Sequence, residues 1–362
     1  GGDIKVFIEA WQGFSGAMLD FGKMLEGGKE EAWQAAQAEF TALNGRIKTV
    51  ADTAEFILAQ SDQDYVYWAE VSGRQKEPSL AAAPIEVAKH LSEGVYPNLQ
   101  GAIFTSATLA MDGKFDYIAK RLGLDLPQSV DHSLTNPYGG KIVASPFLYE
   151  EQVLLCIPTD LASPQMGAAA RDLAQYILNA ILAAKGRAFA LFTSYRQLHD
   201  VYGFCREPLE REGITALCQG TLPRGILLDR FREDVNSALF GTSSFWEGVD
   251  VPGESLSLVI LSKLPFQVPT EPVVAARIQK IEDSGGNAFM EYMLPQAVIR
   301  FKQGFGRLIR RSTDEGVVVV ADNRILTKRY GKSFLESVPK CRVEAVPGDE
   351  TLAAISNWLR QN

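Results

Sequence analysis

Ala238-Leu239-Phe240-Gly241-Thr242-Ser243-Ser244-Phe245-Trp246-Glu247-Gly248-Val249-Asp250-Val251-Pro252-Gly253 is the stretch on which the fold turns. A short apolar run passes through Gly241 into small hydroxyl residues and then into an acidic, glycine-punctuated segment. An apolar run without polar alternation reads as a strand buried on both faces, the mark of a parallel sheet covered by helices. Runs at 102–104, 153–157, 188–192, 214–217, 256–261 and 317–321 share that character, and helical patterns at 166–184, 195–212 and 324–337 separate them. The expected fold class is α/β, a doubly wound parallel sheet flanked by helices. In such sheets ligands bind just beyond the strand C-termini, so the residues that follow each apolar run are the ones to inspect.

Three of these ends carry small hydroxyls: Thr105-Ser106-Ala107-Thr108 after 102–104, Thr193-Ser194-Tyr195 after 188–192, and Thr242-Ser243-Ser244 after 238–240. Hydroxyls and backbone amides at strand-to-helix turns donate to phosphate oxygens without bulk. Ser and Thr also cap helix N-termini, and both readings stand for each site taken singly. A fourth segment, Gln303-Gly304-Phe305-Gly306-Arg307-Leu308-Ile309-Arg310-Arg311, ends a stretch from Arg300 that holds five cations and no acid. Placed on one helix face, Arg307 and Arg310 with Gln303 match the needs of phosphoryl transfer: planar donors for the γ-phosphate and an amide to orient oxygen or water. The alternative is an exposed basic helix end, which explains the charge but not the two glycines, each costing about 1 kcal/mol relative to Ala inside a helix.

Taken in order, these four segments resemble motifs III, IV, V and VI of superfamily 2 helicases, and the wording is closest to the DinG/YoaA branch, bacterial relatives of the XPD helicases. Lys263-Leu264-Pro265-Phe266 and Leu294-Pro295-Gln296-Ala297 add to the likeness, which spans about residues 60–345. The resemblance implies an ATP-dependent 5′→3′ DNA helicase with two RecA-like motor domains, an iron–sulfur domain and a helical arch. It assigns Ser106 and Thr108 to coupling nucleotide state to DNA. Ser194, Tyr195, Thr242, Ser243 and Trp246 go to the single strand. Glu247, Gly248, Asp250 and Gly306 go to the nucleotide and domain interface, and Gln303, Arg307 and Arg310 to the γ-phosphate. It also implies ATP and Mg²⁺, single-stranded and forked or tailed duplex DNA as partners, a possible repair or replication protein, and a bacterial cytoplasmic, nucleoid-associated location. Trp246 and Phe245 are candidates for base stacking, although aromatics beside a sheet are more often core.

The departures from the family are equally informative. A P-loop reads G-x-x-x-x-G-K-S/T, and the one Gly-Lys-Ser here, Gly331-Lys332-Ser333, has Leu326 at the first glycine position. Asp322 after 317–321 mimics a Walker B strand end, but Asn323 and Arg324 stand where an adjacent acid belongs. The cysteines at 156, 205, 218 and 341 and the histidines at 90, 132 and 199 form no metal-ligand spacing. Reduced structural thiols and no metal site are expected, with ATP, Mg²⁺ and any iron–sulfur cluster needing the half of the protein that precedes this chain.

The domain expectation follows: 1–60 a remnant of the helical arch, 61–140 the C-terminal part of motor domain 1, and 141–362 motor domain 2. An apolar stripe of Trp33, Ala36, Phe40, Leu43, Ile47, Val50, Ala54 and Ile57 predicts a long helix, read as half of a helical hairpin in a monomer, with a dimeric coiled coil as the alternative. The start at Gly1 is expected to be the cut end of a processed or shortened chain, since no signal-peptide order is visible. With 362 residues, 46% of them hydrophobic, and a formal charge of −8, disorder and a global nucleic-acid footprint are both excluded, so DNA contacts must be local. No apolar run approaches the roughly 18 residues of a membrane span. The main alternative function is a fragment that binds single-stranded DNA or a partner and hydrolyses nothing. A Rossmann-type enzyme is disfavoured, because no G-x-G-x-x-G follows an early strand.

Overall fold

The computed structural model describes residues 2–24, 31–72, 77–111, 113–125, 139–161, 167–242, 245 and 253–361. They form two compact units. The larger is built on a seven-stranded parallel sheet of β3 (Val153–Cys156), β4 (Ala188–Leu191), β5 (Thr215–Cys218), β6 (Ser237–Gly241), β7 (Leu258–Leu261), β8 (Gly316–Val320) and β9 (Arg342–Glu344), in the order β5-β6-β4-β7-β8-β3-β9. Six of these strands fall on the apolar runs expected in the sequence, and β9, short and half polar, is the one that periodicity does not reveal.

The apolar runs split between two cores because successive side chains leave opposite faces of a strand. Leu155, Phe189, Leu239, Val259 and Val318 join Leu227, Phe231 and Phe301, so helices Arg224–Glu233 and Leu294–Phe305 cover one face. Leu154, Ala190, Phe240, Ile260 and Val319 join Ile177, Leu198 and Ile355, so helices Gly167–Ala183, Tyr195–Arg211 and Gly348–Gln361 cover the other. Burying one Leu, Val or Phe contributes about 1.5–3 kcal/mol, and strands apolar on both sides double the return per residue ordered.

Two expectations need correction. Residues 102–104 form no strand: they pair with no other strand among the described residues, and Ile103 is 92% exposed, since a strand exists only through a ladder partner. The helix expected over 324–337 breaks into Arg324–Thr327 and Gly331–Ser337, with Lys328 extended between them. Gly331 causes the break, since a Cβ there would collide with the carbonyl of Ile325, and only glycine allows so close an approach. By contact, residues 1–87 with 270–277 form one unit, and 88–269 with 278–362 form the other.

The smaller unit holds two long helices and a β-hairpin. Helices α1 (Gly2–Met24) and α2 (Glu31–Ala59) form an antiparallel hairpin, with Trp11 Nε1 donating to Ile47 O at 3.2 Å and the Phe21 and Phe40 rings 5.5 Å apart. Strands β1 (Tyr65–Ser72) and β2 (Glu77–Pro84) pair only with each other, antiparallel. Tyr65 and Tyr67 flank Phe56 of α2 at 5.0 and 5.6 Å, which fixes the β-hairpin to the helices and not to the parallel sheet. The seam on α2 is also rotated from the expected stripe: Leu43 and Val50 are exposed, while Asn44 and Ala51 are buried. Asn44 meets Ser15, and a pair of small residues lets two straight helices approach where a heptad of large ones would not. The Trp33 and Ala36 side chains lie outside the described residues.

Residues 88–125 belong to the larger unit through specific tethers. Lys302 Nζ donates to Ala110 O at 3.3 Å, Gln296 to the Tyr117 hydroxyl at 2.5 Å, and Arg121 lies over the Tyr292 ring.

Candidate nucleic-acid interface and arginine turn

Ladder bonds align the strand ends of the sheet. Gln219 N donates to Phe240 O, Phe192 N to Gly241 O, Ser262 N to Leu191 O, and Ala321 N to Leu261 O, all at 2.9–3.0 Å. Neighbouring ends are therefore about 4.8 Å apart in one row. Gln219 follows β5, Thr242 follows β6, Thr193-Ser194-Tyr195 follow β4, Ser262-Lys263 follow β7, and Asp322 follows β8.

Within the row the hydroxyls divide by role. Ser194 caps helix Tyr195–Arg211 by accepting from Gln197 N at 3.3 Å, which is the capping alternative realised. Tyr195 is 55% exposed on the first turn, its ring stacked on His199 with centroids 6.3 Å apart. Thr242 is 3% exposed, and its hydroxyl donates to Gln219 Oε1 at 3.0 Å, so that proton is spent internally and does not reach a phosphate in this arrangement. Phe245 is 1% exposed and packs edge-on against Phe189, a core residue and no stacking platform. Ser243, Trp246, Glu247, Gly248 and Asp250 lie outside the described residues.

Gln219 is the site residue that a search for hydroxyls passes over. Its side chain is buried and bridges two strand ends: Nε2 donates to the Tyr195 hydroxyl at 2.6 Å, and Oε1 accepts from Thr242 N at 2.6 Å as well as from the Thr242 hydroxyl. Gly220 follows with φ +92°, a left-handed turn that takes the chain sharply off β5 and that glycine adopts without strain. Inspecting the end of every apolar run, irrespective of residue type, finds Gln219.

The basic segment is arranged differently from expectation. Helix Leu294–Phe305 ends at Gly306, so Arg307 and Arg310 stand on the following turn and not on a helix face, and Gly306 is a C-cap rather than a cost inside the helix. Leu308 and Ile309, 1% and 4% exposed, plug into the core, while Arg307 is half-buried and Arg310 exposed. Asp314, just beyond the acid-free stretch, shapes the turn: its Oδ2 accepts from Arg310 N and Arg311 N at 2.9 and 2.8 Å. Gln152, the last residue of the short helix Tyr149–Gln152 that leads into β3, donates to Ser312 O and Asp314 O, locking the turn to the sheet. Gln303 Oε1 is buried without a hydrogen-bond partner among the described residues.

Ser106 and Thr108 form a local pair, Oγ to Oγ1 at 3.1 Å, with Thr108 N donating to Ser106 Oγ. The Lys302 bond to Ala110 ties this segment to the residue next to Gln303. The two mimics resolve structurally. Lys332 pairs with Glu336 on the surface at 3.4 Å. Asp322, 1% exposed, accepts from Leu264 N and takes a bidentate bond from Arg324, which leaves its carboxylate committed to the fold. Burial raises the thiols of Cys156 and Cys205 to about 12 and of Cys218 and Cys341 to about 11, and all four are free, as structural thiols should be. Arginine N–H donors of the kind on this turn suit phosphate oxygens. No group of three or more potential metal-ligating side chains occurs among the described residues.

A parallel sheet with helices on both faces, and hydroxyl and amide groups at adjoining strand ends, is the architecture of a RecA-like helicase domain. Residues 177–341 match the helicase C-terminal domain family. The chain is 42% identical over 275 residues to the ATP-dependent DNA helicase YoaA of Haemophilus influenzae, covering 76% of this chain and 40% of that protein. It is 36% identical over 301 residues to the ATP-dependent helicase DinG of Mycobacterium tuberculosis, covering 81% and 44% respectively. A solved structure of apo XPD superposes with a TM-score of 0.55 at 17% identity, over 88% of this chain and 62% of that one, a likeness of fold. The chain thus resembles the C-terminal part of the DinG/YoaA-type helicases in sequence and XPD in fold, and residues 177–341 carry the match to the helicase C-terminal domain family. It spans about two fifths of the length of the YoaA and DinG relatives. No described helix is long and apolar enough to cross a membrane.

Proposed function

We propose that this chain is the second motor half of an ATP-dependent 5′→3′ DNA helicase, residues 141–362, with residues 61–140 contributing the last part of the first motor domain and residues 1–60 an arch element. The observation that carries this reading is the row of strand ends from Gln219 to Tyr195 lying in the same unit as the Gln303/Arg307/Arg310 turn. A strand path and a γ-phosphate wall on one rigid sheet are what coupling hydrolysis to translocation requires.

In this mechanism ATP binds between two motor domains. Arg307 and Arg310 neutralise charge on the γ-phosphate from this side, Gln303 orients oxygen or water, and the P-loop lysine and Mg²⁺-binding acids come from the other wall. Ser106 and Thr108, linked through Ala110 and Lys302 to the neighbour of Gln303, transmit the change to the strand. Contacts to phosphate carry no base identity, so binding is sequence-independent and weakens with salt. The setting is a bacterial cytoplasm, on forked or tailed DNA during repair or replication.

The test is single-strand-stimulated ATP hydrolysis by this chain and by the complete gene product, each with and without Arg307→Ala. The expected result is a silent fragment and an active complete protein that loses about 10³-fold or more in kcat with Arg307→Ala. Hydrolysis by the fragment alone would sink the half-motor assignment. The second reading, a strand-binding module without ATPase activity of its own, is favoured by the absence of a G-x-x-x-x-G-K-S/T segment from the sequence, and a silent complete protein would select it.

A further inference from the structure

Gln219 holds a position whose chemistry can be read without ambiguity. A backbone N–H only donates, so the Gln219 atom facing Thr242 N at 2.6 Å must be the oxygen. The amide nitrogen is then the atom 2.6 Å from the Tyr195 hydroxyl, and that nitrogen only donates. The Tyr195 oxygen is therefore an acceptor on its inner side, and its own proton points elsewhere. Among the described residues the Tyr195 hydroxyl has no other partner, and the side chain is 55% exposed.

We propose that Gln219 is a positioning residue that fixes Tyr195 as a hydrogen-bond donor toward the phosphate backbone of a single strand, and that ties this donor rigidly to the end of β6 through Thr242. The proposal rests on the strand-path reading above and deepens it. Three features support it together. Gln219 is 8% exposed, so water does not compete for the amide. Oε1 takes two bonds from Thr242, so the amide cannot flip without losing both. The stack of Tyr195 on His199 limits the ring to a narrow arc about the same hydroxyl. A donor with a preset direction costs little ordering when the anion arrives, and a donor matched to an anionic oxygen forms a charge-assisted bond.

The discriminating variant is Gln219→Glu. Near neutral pH the carboxylate still accepts from Thr242, but at the Tyr195 end it also accepts, which draws the phenol proton inward and away from DNA. Binding of a fluorescein-labelled oligo-dT to this chain is measured by anisotropy at fixed salt for wild type, Tyr195→Phe, Gln219→Glu, Gln219→Leu and the double variants. Tyr195→Phe is expected to weaken binding about tenfold, the worth of one hydrogen bond to a charged group. Gln219→Glu should weaken it at least as much alone, and should lose most of that effect in the Tyr195→Phe background. Equal losses in both backgrounds would mean that Gln219 acts as bulk structure or through charge, and would overturn the proposal. A second readout needs no DNA: in ¹⁵N-labelled chain the Gln219 side-chain amide resonance should move on Tyr195→Phe, and an unmoved resonance would overturn the link even if a leucine variant failed to fold. If the wild-type chain binds no oligonucleotide, the strand-path reading fails, while the amide resonance still decides whether Gln219 sets the Tyr195 donor.

Discussion

Asp322 shows at the level of one residue how a catalytic appearance is settled by partners. Its oxygens are filled by Leu264 N–H and by Arg324, whose guanidinium sits over the Phe266 ring at 6.0 Å. Lys263 is left beside this pair with no hydrogen bond or ion pair among the described residues, and burial, then Arg324, hold its ammonium below the ordinary lysine value of 10.5, against a smaller pull from Asp322. The folded-state value lies below the unfolded one, so the unfolded chain binds more protons across that window and stability rises with pH through it. The penalty is complete below the depressed value and gone near 10.5. Lys263→Met is accordingly expected to raise Tm at pH 7–8, with the gain shrinking as the pH approaches 10.5, as thermal melts across that range would show. Gly331→Ala should cost about 1–3 kcal/mol, the range for forced overpacking, because its Cβ meets the Ile325 carbonyl. Lys332→Ala should cost almost nothing, since exposed i,i+4 pairs are worth about 0.3–0.5 kcal/mol. Urea titration of the two variants separates a structural glycine from a phosphate loop.

At the level of elements, the arginine turn depends on a residue that carries no positive charge. Asp314, 8% exposed, accepts from two successive backbone N–H groups, and Gln152 binds the turn to β3 from 160 positions earlier in the chain. Removing a buried carboxylate that satisfies two amides strands both donors. Asp314→Ala is expected to destabilise by about 2–3 kcal/mol and to lower hydrolysis in the complete protein without touching any phosphate. The check is a pair of measurements, urea midpoint and ATPase rate. A rate unchanged at full folding would show that the arginines do not need the turn. Helix Leu294–Phe305 matters to the same device, because its buried Phe301 and Phe305 hold the Gly306 cap in place.

Among the described residues of the larger unit, one side is incompletely covered. Ile103, Phe104, Ile142 and Val143 are exposed at 92, 43, 56 and 78%, and they wall a cavity of about 790 Å³ that Tyr96, Phe115 and Lys302 also line. A contiguous apolar wall of this kind binds hydrophobic dyes and promotes association. The chain is expected to enhance ANS fluorescence in its native state, and Ile103→Lys with Val143→Lys should reduce that signal without lowering Tm. A native chain silent toward ANS would show the wall to be closed in solution.

Much of the molecule was legible in one dimension. Apolar runs of three to six residues announced six strands of the parallel sheet, and the motif order announced the likeness to the helicase C-terminal domain, because burial and short motifs both act through residue type and spacing. The sequence also marked Tyr195, Thr242, Gln303, Arg307 and Arg310 as residues of interest. What it left undecided was which of them face outward. Thr242 turned inward and Gly306 ended a helix that the charge pattern had carried on to Arg310. Residues 65–84 closed on α2, and 102–104 found no ladder partner among the described residues. Gln219 stayed hidden because an amide between two strand ends has no local signature. Its meaning lies in hydrogen bonds to residues 24 and 23 positions away, and only the tertiary fold, by setting β4, β5 and β6 side by side, brings those partners within 3 Å.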